Sequence, residues 1–318
     1  MRSRSAAVYA AGHFLVDFSC AYRMFSLQAD PIWFLLYNFL AFAVQFPLGH
    51  LADRLGNNRF FALTGISLVF AGIFPFPVAL SVILVGLGNA AFHIGGGRDT
   101  LLKSNRLTAL GIFVSPGAIG ICLGSLLSQQ VWMRYIVPVL LAGCGWLISF
   151  CCTGDKIFSR IRKPSPLTLL LMSIVVLIRS FVGMSMITPW KTGIFVLATA
   201  VGAVLGKVLG GILADRIGLR KCGSISLLLA SLLFCFPGSV VTGILGVVFF
   251  NMTMPITLRR AADSLPGAEG AAFGLLTLGL FLGYLPQAFG ITISPYLAAG
   301  LSVFSAVLLM LDRESCRV

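Results

Sequence analysis

The sequence predicts an all-α integral membrane protein with twelve transmembrane helices in two pseudo-symmetric six-helix bundles. Three observations lead to this prediction: a strongly apolar composition, a series of apolar runs about twenty residues long, and a repeat at half the chain length. Of the 318 residues, 58% are hydrophobic and 10% are charged, and the mean hydropathy is +0.98. A soluble domain of this size would need far more polar surface.

The apolar runs have the length that crosses a bilayer core. We predict spans at about 7–26, 31–51, 60–77, 78–98, 107–130, 134–152, 167–188, 192–213, 222–239, 240–258, 270–291 and 292–311. Helices are favoured over a membrane barrel because the runs are long and continuous, and because helices satisfy their own backbone groups. Asp17 and Arg23 interrupt the first run, so we expect an uncleaved helix rather than a signal peptide.

The net charge of +13 is a topology signal. The side shared with the N-terminus carries eighteen Lys and Arg residues, whereas the opposite side carries only Arg134 and Lys191. This bias predicts a multi-pass protein of the cell (plasma or inner) membrane with both termini in the cytoplasm, in contact with the lipid bilayer. The loops are too short to form a nucleic-acid-binding face. The eight cysteines show no metal spacing, so neither disulfides, a metal nor a cofactor is expected.

The segment GHLADRLGNNR at 49–59 recurs as GILADRIGLRK at 211–221. The two aspartates, Asp53 and Asp215, are separated by 215 minus 53, or 162 positions, which is close to half the chain. The same offset aligns Asn89 with Asn251. Six helices followed by six matched helices keep one orientation, so the halves are related by an axis along the membrane normal. We therefore expect an N-terminal bundle at 1–152, a cytoplasmic linker at 153–166 and a C-terminal bundle at 167–318.

This doubled loop resembles the motif G-x-L-a-D-R-x-G-R-R of the major facilitator superfamily (MFS) of secondary transporters. The resemblance covers essentially the whole chain, although Asn57 and Asn58 stand where basic residues are usual and the chain is short for the family. It implies the MFS fold, a monomer, and a latch that closes the cytoplasmic mouth. The candidate gate residues are Asp53, Arg54, Arg98, Asp215, Arg216 and Arg260.

Elementary physics suggests how the doubled loop acts. Gly56 and Gly218 allow the left-handed turn between antiparallel helices. Asp53 and Asp215 can accept hydrogen bonds from the N–H groups at a neighbouring helix start. Arg98 and Arg260, expected to end the fourth and tenth helices, are candidate ionic partners for these aspartates. The alternative is that the charges only stop helices at the interface.

The offset also aligns Asp17, near the middle of helix one, with Arg179 in helix seven. A charge at bilayer depth costs about 2.5–3.5 kcal/mol, so both should face a wet central cavity or each other. The alternative is a buried ion pair that only fixes packing. His13 lies one turn before Asp17, which makes helix one the candidate for proton coupling. Alternatively, His13 hydrogen-bonds a carbonyl near the cytoplasmic end.

Further polar residues complete the candidate substrate and proton pathway. Asn89 and His93 are spaced by one helical turn, Asn251 is the copy of Asn89, and Tyr284 lies on a polar stripe of helix eleven. Buried amides need partners, so the asparagines should line the cavity or bond between helices. Lys207 and Arg23 are expected to snorkel to the interface, outside the site.

Together these features predict a secondary active transporter of a small solute that works by alternating access and is coupled to protons. The segment SPGAIGICLG at 115–124 resembles the antiporter motif of MFS exporters, and GHFLVDF and GNAAFHIGGGR resemble fosmidomycin-resistance-type members, which export small anionic or drug-like compounds. Efflux is thus the first expectation and uptake by symport the alternative. A non-transporting receptor or scaffold is the rival class. The sequence contains no HExxH motif, no clustered acids and no Walker loop, so nothing in it indicates an enzyme or the direct use of ATP.

Overall fold

A computed structural model describes residues 2–28, 30–158 and 163–312 of the chain. Arg160 and Arg162 of the predicted linker, and Arg313, Cys316 and Arg317 near the C-terminus, lie outside the described residues. Within them the chain is helical, and consecutive helical pieces form twelve segments. These are α1 (Arg2–Ser26), α2 (Pro31–Leu55), α3 (Asn58–Gly72), α4 (Val78–Lys103), α5 (Leu107–Leu126), α6 (Met133–Cys151), α7 (Pro166–Ser185), α8 (Ile194–Ile217), α9 (Leu219–Phe234), α10 (Val240–Ser264), α11 (Glu269–Ala288) and α12 (Pro295–Leu311).

Eight of the described segments are long and apolar enough to cross a membrane by length and composition: α2, α4, α5, α6, α7, α8, α10 and α11. Two others, α3 and α12, are apolar but shorter. The all-helical membrane class is thereby confirmed, whereas twelve crossings remain a prediction.

Several boundaries differ from the predicted ones for identifiable reasons. The fourth and tenth helices continue past Arg98 and Arg260, to Lys103 and Ser264, so the expectation that these arginines end their helices was wrong. Charged side chains do not stop a helix that leaves the bilayer while its backbone hydrogen bonds continue. Conversely, α3 ends at Gly72, about a turn before the predicted end, because prolines follow closely at 75 and 77.

Three segments are interrupted along their length. A π-helical turn, Phe39–Ala43, lies inside α2, and a one-residue break at Met252 divides α10. In α5, helix Leu107–Val114 ends before Ser115 and Pro116, and helix Gly117–Leu126 follows. Because proline removes an N–H and clashes with the preceding turn, the α5 break is dictated locally by sequence. It lies where the candidate site forms.

The offset of 162 recurs in the helix boundaries. α5 begins at Leu107 and ends at Leu126, whereas α11 begins at Glu269 and ends at Ala288, 162 positions later at both ends. The turns that follow α2 and α8 also match: Gly56 has φ of 71° and Gly218 has φ of 90°, in the region that favours glycine. The repeat of elements agrees with two six-helix units, whose boundaries at 152 and 167 stay a prediction.

The two sets of six helices meet along two principal contacts. α2 packs against α11, and α5 packs against α8, while α4 and α10 make further contacts with α11 and α5 respectively. Within the first set α1 packs on α4, α5 and α6; within the second α7 packs on α10, α11 and α12. The helices that carry the candidate charges, α1 and α7, therefore lie inside their own sets and beside the interface helices.

Candidate functional site

Asp17 on α1 is the centre of a buried polar cluster. Its Oδ2 lies 3.1 Å from His13 Nε2, and its Oδ1 lies 3.7 Å from His93 Nε2 on α4. Asn89 Nδ2 donates a hydrogen bond of 2.8 Å to the same Oδ1. These four side chains are between 2% and 8% exposed. Their helical spacing places both pairs on facing sides of α1 and α4, so the structure brings four of the predicted site residues together.

The backbone around the cluster determines where protons can be. His13 Nδ1 lies 2.6 Å from the carbonyl oxygen of Phe113, and His93 Nδ1 lies 2.8 Å from that of Asn89. A carbonyl can only accept a hydrogen bond, so each Nδ1 carries its proton and each Nε2 faces Asp17. If neither His13 Nε2 nor Asp17 Oδ2 carried a proton, two lone pairs would face each other at 3.1 Å, which is unfavourable. At least one further proton must therefore lie between His13 and Asp17.

Small residues and hydroxyl groups shape the surroundings of the cluster. Tyr37 on α2 accepts a 3.3 Å hydrogen bond from Asn89 Nδ2, which ties a third helix to the cluster. Gly117, the first residue of the second half of α5, faces Asp17 and His13 so closely that a Cβ there would overlap both side chains. The α5 backbone consequently closes over the cluster directly.

The break in α5 supplies three consecutive carbonyl groups to side chains. A helix end leaves its last carbonyls without backbone donors. Ser115 Oγ donates a hydrogen bond of 3.1 Å to Ile112 O, and His13 Nδ1 donates to Phe113 O. Lys207 Nζ donates a hydrogen bond of 3.1 Å to Val114 O. Because Lys207 belongs to α8, the same short break joins the proton-holding cluster of the first half to a cation of the second half.

The expectation that Lys207 snorkels to the membrane surface was wrong. α8 packs directly on α5 at this level: a Cβ added at Gly111 would lie 2.6 Å from the Lys207 carbonyl oxygen. The side chain therefore has a short route to the break in α5, where it donates to Val114 O. A sequence signal existed, because Lys207 aligns by the offset of 162 with Gln45, which is fully buried on α2. Arg23 is likewise fixed: its Nη2 donates to Phe74 O and Ser81 Oγ, each at 2.8 Å.

Arg179 does not pair with Asp17. Its Nη1 donates to Thr257 Oγ1 on α10 at 3.2 Å, and the residue is 8% exposed. In the part of the chain that the structure describes, neither Arg179 nor Lys207 has a carboxylate within ion-pair distance. The charges matched by the offset are therefore held in separate environments, the acid by α1 and α4 and the base by α7 and α10.

Two predicted site residues lie apart from the cluster. Asn251 Nδ2 donates within its own helix to Val247 O at 2.9 Å, and its Cβ faces Gly206 of α8. Tyr284 on α11 is only partly buried, and its side chain lies near Asn38 of α2. Neither residue contacts Asp17, so the pairing of Asn89 with Asn251 does not extend to a shared role in the cluster.

The repeated aspartates contact helix starts in the opposite half. Asp53, which is 8% exposed, accepts hydrogen bonds from the backbone N–H groups of Gly270 at 2.9 Å and Ala271 at 2.8 Å, at the start of α11. The positive end of the α11 dipole favours a carboxylate here. This contact joins α2 to α11 on the face of the bundle that contains the 55–58 and 217–219 turns, which we call the motif face.

Asp215 makes the reciprocal contact. Its carboxylate accepts hydrogen bonds from Leu107 N at 2.8 Å, Thr108 N at 2.9 Å and Thr108 Oγ1 at 2.6 Å, at the start of α5. Asp215 itself is exposed, whereas Asp53 is buried. The two contacts together close the motif face between the halves.

The expected arginine partners behave differently from each other. Arg98 Nε contacts Asp53 Oδ1 at 2.7 Å, and Arg98 also donates to Asn58 and to the Ile157 carbonyl. Arg260 does not contact Asp215, contrary to expectation, and instead pairs with Asp312 at 2.6 Å. The exposed position of Asp215 explains the difference, because Arg260 lies inside its half beside α12. Arg54 and Arg216 are exposed at the ends of α2 and α8.

One group of donors has a composition that also occurs around metal ions. The ligand atoms of His13, Asp17 and His93 all lie within 4.8 Å of one another and are buried. Lys207, which interacts electrostatically with Asp17 and Arg179, adds positive charge nearby. A divalent cation would be repelled by Lys207, whereas a single proton satisfies the contact between His13 and Asp17.

Comparisons with known proteins give a match at the level of the fold. No family model and no curated protein matches the sequence. A crystal structure of a variant of the E. coli fucose:proton symporter FucP superimposes with a TM-score of 0.66 at 13% identity, covering 96% of this chain and 97% of that chain. A structure of FucP described as an MFS transporter in the outward conformation gives a TM-score of 0.66 at 12% identity, covering 98% and 99%. The chain therefore shares the fold of a major facilitator superfamily transporter.

Proposed function

We propose that the chain is a secondary active transporter that moves a small solute across a membrane by alternating access, coupled to protons. The observation that carries the proposal is the buried contact between His13 and Asp17, which requires a shared proton at the interior of an MFS-type fold. A residue that binds and releases a proton beside the interface of two halves is the element that such a transporter needs.

The proposal includes a specific arrangement in the membrane. All twelve helices cross the bilayer of the cell membrane as two six-helix bundles, 1–152 and 167–318, which rock about the central site in a monomer. In this arrangement the motif face and both termini lie in the cytoplasm, which the excess of Lys and Arg on that side supports. The Asp53 and Asp215 contacts then hold the cytoplasmic mouth shut in the described state.

A proton explains the cluster better than a metal ion. The two histidines have their Nδ1 protons fixed by carbonyls, so the variable proton resides between Nε2 and the Asp17 carboxylate. When the mouth on one side opens, water reaches this contact and the proton can exchange with that side only. The α5 backbone at Gly117 covers the cluster and is therefore part of the wall that must move for water to reach it.

Both antiport and symport are compatible with a proton held between His13 and Asp17. Export by antiport is favoured by the glycine-rich α5 segment and by the resemblance to fosmidomycin-resistance-type exporters. Uptake by symport is supported by the likeness to FucP, which is described as a fucose:proton symporter. A receptor or scaffold without transport would keep the fold but would move no protons when a solute is added. Solute-dependent proton movement therefore separates the transporter from that rival.

The proposal is tested with purified protein in vesicles that contain a pH-sensitive dye. Solutes found in a growth screen of an expressing strain against toxic compounds are added outside, and the internal pH is followed. We expect Asp17→Asn and His13→Gln to insert normally and to lose solute-driven proton movement. Asp30→Asn and His50→Gln, which make the same changes at exposed positions, serve as matched controls. Undiminished proton-coupled flux in Asp17→Asn would refute the assignment.

A further inference from the structure

Two cations of the second half, the buried Arg179 and the partly buried Lys207, have no acidic partner among the described residues. Arg179 donates to the Thr257 hydroxyl and Lys207 to the Val114 carbonyl, both neutral acceptors. Neither forms an ion pair within residues 2–28, 30–158 and 163–312. Among the described residues, the buried Arg98 pairs with Asp53 and the partly buried Arg260 pairs with Asp312. Arg179 and Lys207 differ from these two arginines because they have no counter-charge in that part of the chain.

Burying an unpaired charge is costly, and buried charges in proteins are normally paired or functional. Asp17 is the acid that interacts electrostatically with Lys207, but its carboxylate is already engaged by His13 and Asn89. One carboxylate and two cations leave this interior with an excess positive charge even when both imidazoles are neutral. An additional negative group placed between the halves would remove the excess.

We propose that Lys207 and Arg179 bind a small anion, carrying a carboxylate or a phosphate-type group, and that the proton held by His13 and Asp17 strengthens its binding so that anion and proton move together. This inference rests on the proposed function, because it names the substrate class and the coupling mode of the same transporter. The Lys207 ammonium and the Arg179 guanidinium, with the Thr257 hydroxyl beside the guanidinium, provide several donors for such an oxyanion group.

The positive coupling follows from the sign of the charges. Protonation of the cluster adds one positive charge to an interior that also contains Lys207 and Arg179, so it favours an anion and opposes any other cation. The ionisable groups that act on Asp17 from the neighbouring helices are His13 and Cys20 of α1, Tyr37 of α2, His93 of α4 and Lys207 of α8, and Arg179 of α7 in turn acts on Lys207. By thermodynamic reciprocity, a bound anion retains the proton as strongly as the proton retains the anion. Antiport would require the opposite sign.

The α5 break gives this coupling a physical connection. His13 and Lys207 hydrogen-bond adjacent carbonyls, Phe113 and Val114, on one unwound stretch of backbone. A change in the protonation of His13 alters its bond to Phe113 and hence the position of the next carbonyl. Lys207 is released from Val114 when a better acceptor, an anion, arrives.

The experiment measures stability and binding of the purified protein in detergent. The probes are lactate, succinate, phosphate and sulfate, with fucose and glucose as neutral solutes, each at pH 5.5 and pH 7.5. We expect at least one of the four anions, and neither sugar, to raise the thermal midpoint of the wild type. The apparent Kd of that anion should be roughly tenfold lower at pH 5.5 than at pH 7.5. In Asp17→Asn this pH dependence should disappear.

The variants Lys207→Met and Arg179→Met should lose the stabilisation by anions. Without any added anion their thermal midpoint should equal or exceed that of the wild type, because a repelling charge is gone. A purely structural role would instead lower the midpoint and leave the response to anions unchanged. Lys191→Met, the same change at an exposed position, is the matched control.

The inference is overturned if none of the four anions stabilises the wild type, if the sugars stabilise it equally, or if anions still stabilise Lys207→Met. These results differ from a failure of the proposed function. If sugars drive proton movement in vesicles and anions do not bind, the transporter stands and the anion site falls. If anions bind but no solute moves protons, the anion site stands and the transport proposal falls.

Discussion

Closure of the motif face depends on close backbone contact between α2 and α11, and one added methyl group should prevent it. The perturbation is Gly270→Ala. A Cβ at this position would lie 2.6 Å from the Gly49 carbonyl oxygen and 2.9 Å from Asp53 Oδ1, whereas ordinary contacts begin at 3.4 Å. The Gly49 oxygen belongs to backbone and cannot rotate away. The two helices must therefore separate by about 0.8 Å at this point.

The consequence for the latch follows from the hydrogen-bond lengths. Asp53 accepts from Gly270 N at 2.9 Å and from Ala271 N at 2.8 Å. A separation of about 0.8 Å lengthens both to roughly 3.6–3.7 Å, beyond the range of a hydrogen bond. A hydrogen bond to a charged group contributes about 1.5–3 kcal/mol. Even if water compensates for part of this, the closed state should lose about 2 kcal/mol relative to the state open on the motif face. That corresponds to a shift of about 30-fold in the equilibrium between them.

The assay is electron–electron distance measurement between spin labels at Asn105 and Lys221, exposed residues of opposite halves near the motif face. A cysteine-free background is used, and the parent protein should show a short separation. In Gly270→Ala the distribution should shift towards a longer separation. Gly143→Ala is the control, because a Cβ there would meet nothing within 4 Å. If Gly270→Ala gives the distribution of the control, the motif face is not held by this contact and the latch reasoning is wrong.

Two other outcomes are expected from the same structure. Arg98→Gln should lower the free energy of unfolding in detergent by about 3–5 kcal/mol, because it leaves the buried Asp53 without its cation. The control Arg54→Gln, at an exposed position, should change this free energy by no more than about 0.5 kcal/mol. Equal effects of the two variants would contradict the buried pairing. Treatment with a chelator should leave solute-driven proton movement in vesicles unchanged, because the His13 contact holds a proton; loss of flux that added zinc restores would show instead that a metal occupies the cluster.

The sequence was sufficient for the all-helical membrane class and for the repeat of the elements, because both depend on features of whole segments. Apolar length and the offset of 162 do not depend on the orientation of any one side chain, whereas the orientation taken from the positive-inside bias stays a prediction. The contact of Asp53 with a helix start was also predictable, since a carboxylate next to a tight turn on a charged face has few other partners. The Asp17–His13 contact followed from helical spacing alone.

Partners across the bundle were less accessible to prediction. Helical spacing identifies the helix face on which a residue lies, but not which of two neighbouring helices that face contacts. Arg260 was therefore assigned to Asp215, whereas its partner is Asp312, directly after α12. Lys207 was misplaced because its four-carbon chain can extend towards the surface or inwards. Gly111 of α5 lets the two helices pack closely at this level, which favours the inward direction. The offset assigned matching positions to Asp17 and Arg179, but a symmetry of positions does not require that the two side chains meet.

The separation of Asp17 from Arg179 has a mechanistic consequence. If acid and base neutralised each other in the described state, neither a proton nor an anion would gain by entering, and the pair would serve packing only. As observed, the acid shares its charge with His13, while Arg179 and Lys207 depend on neutral oxygens. In the proposed mechanism, the first half therefore supplies the held proton and the second half supplies two cations without an acidic partner among the described residues, and the α5 break lies between them. If the halves rock apart as proposed, the contact from Lys207 to Val114 breaks, so the energy of that step depends on whether an anion has replaced the Val114 carbonyl.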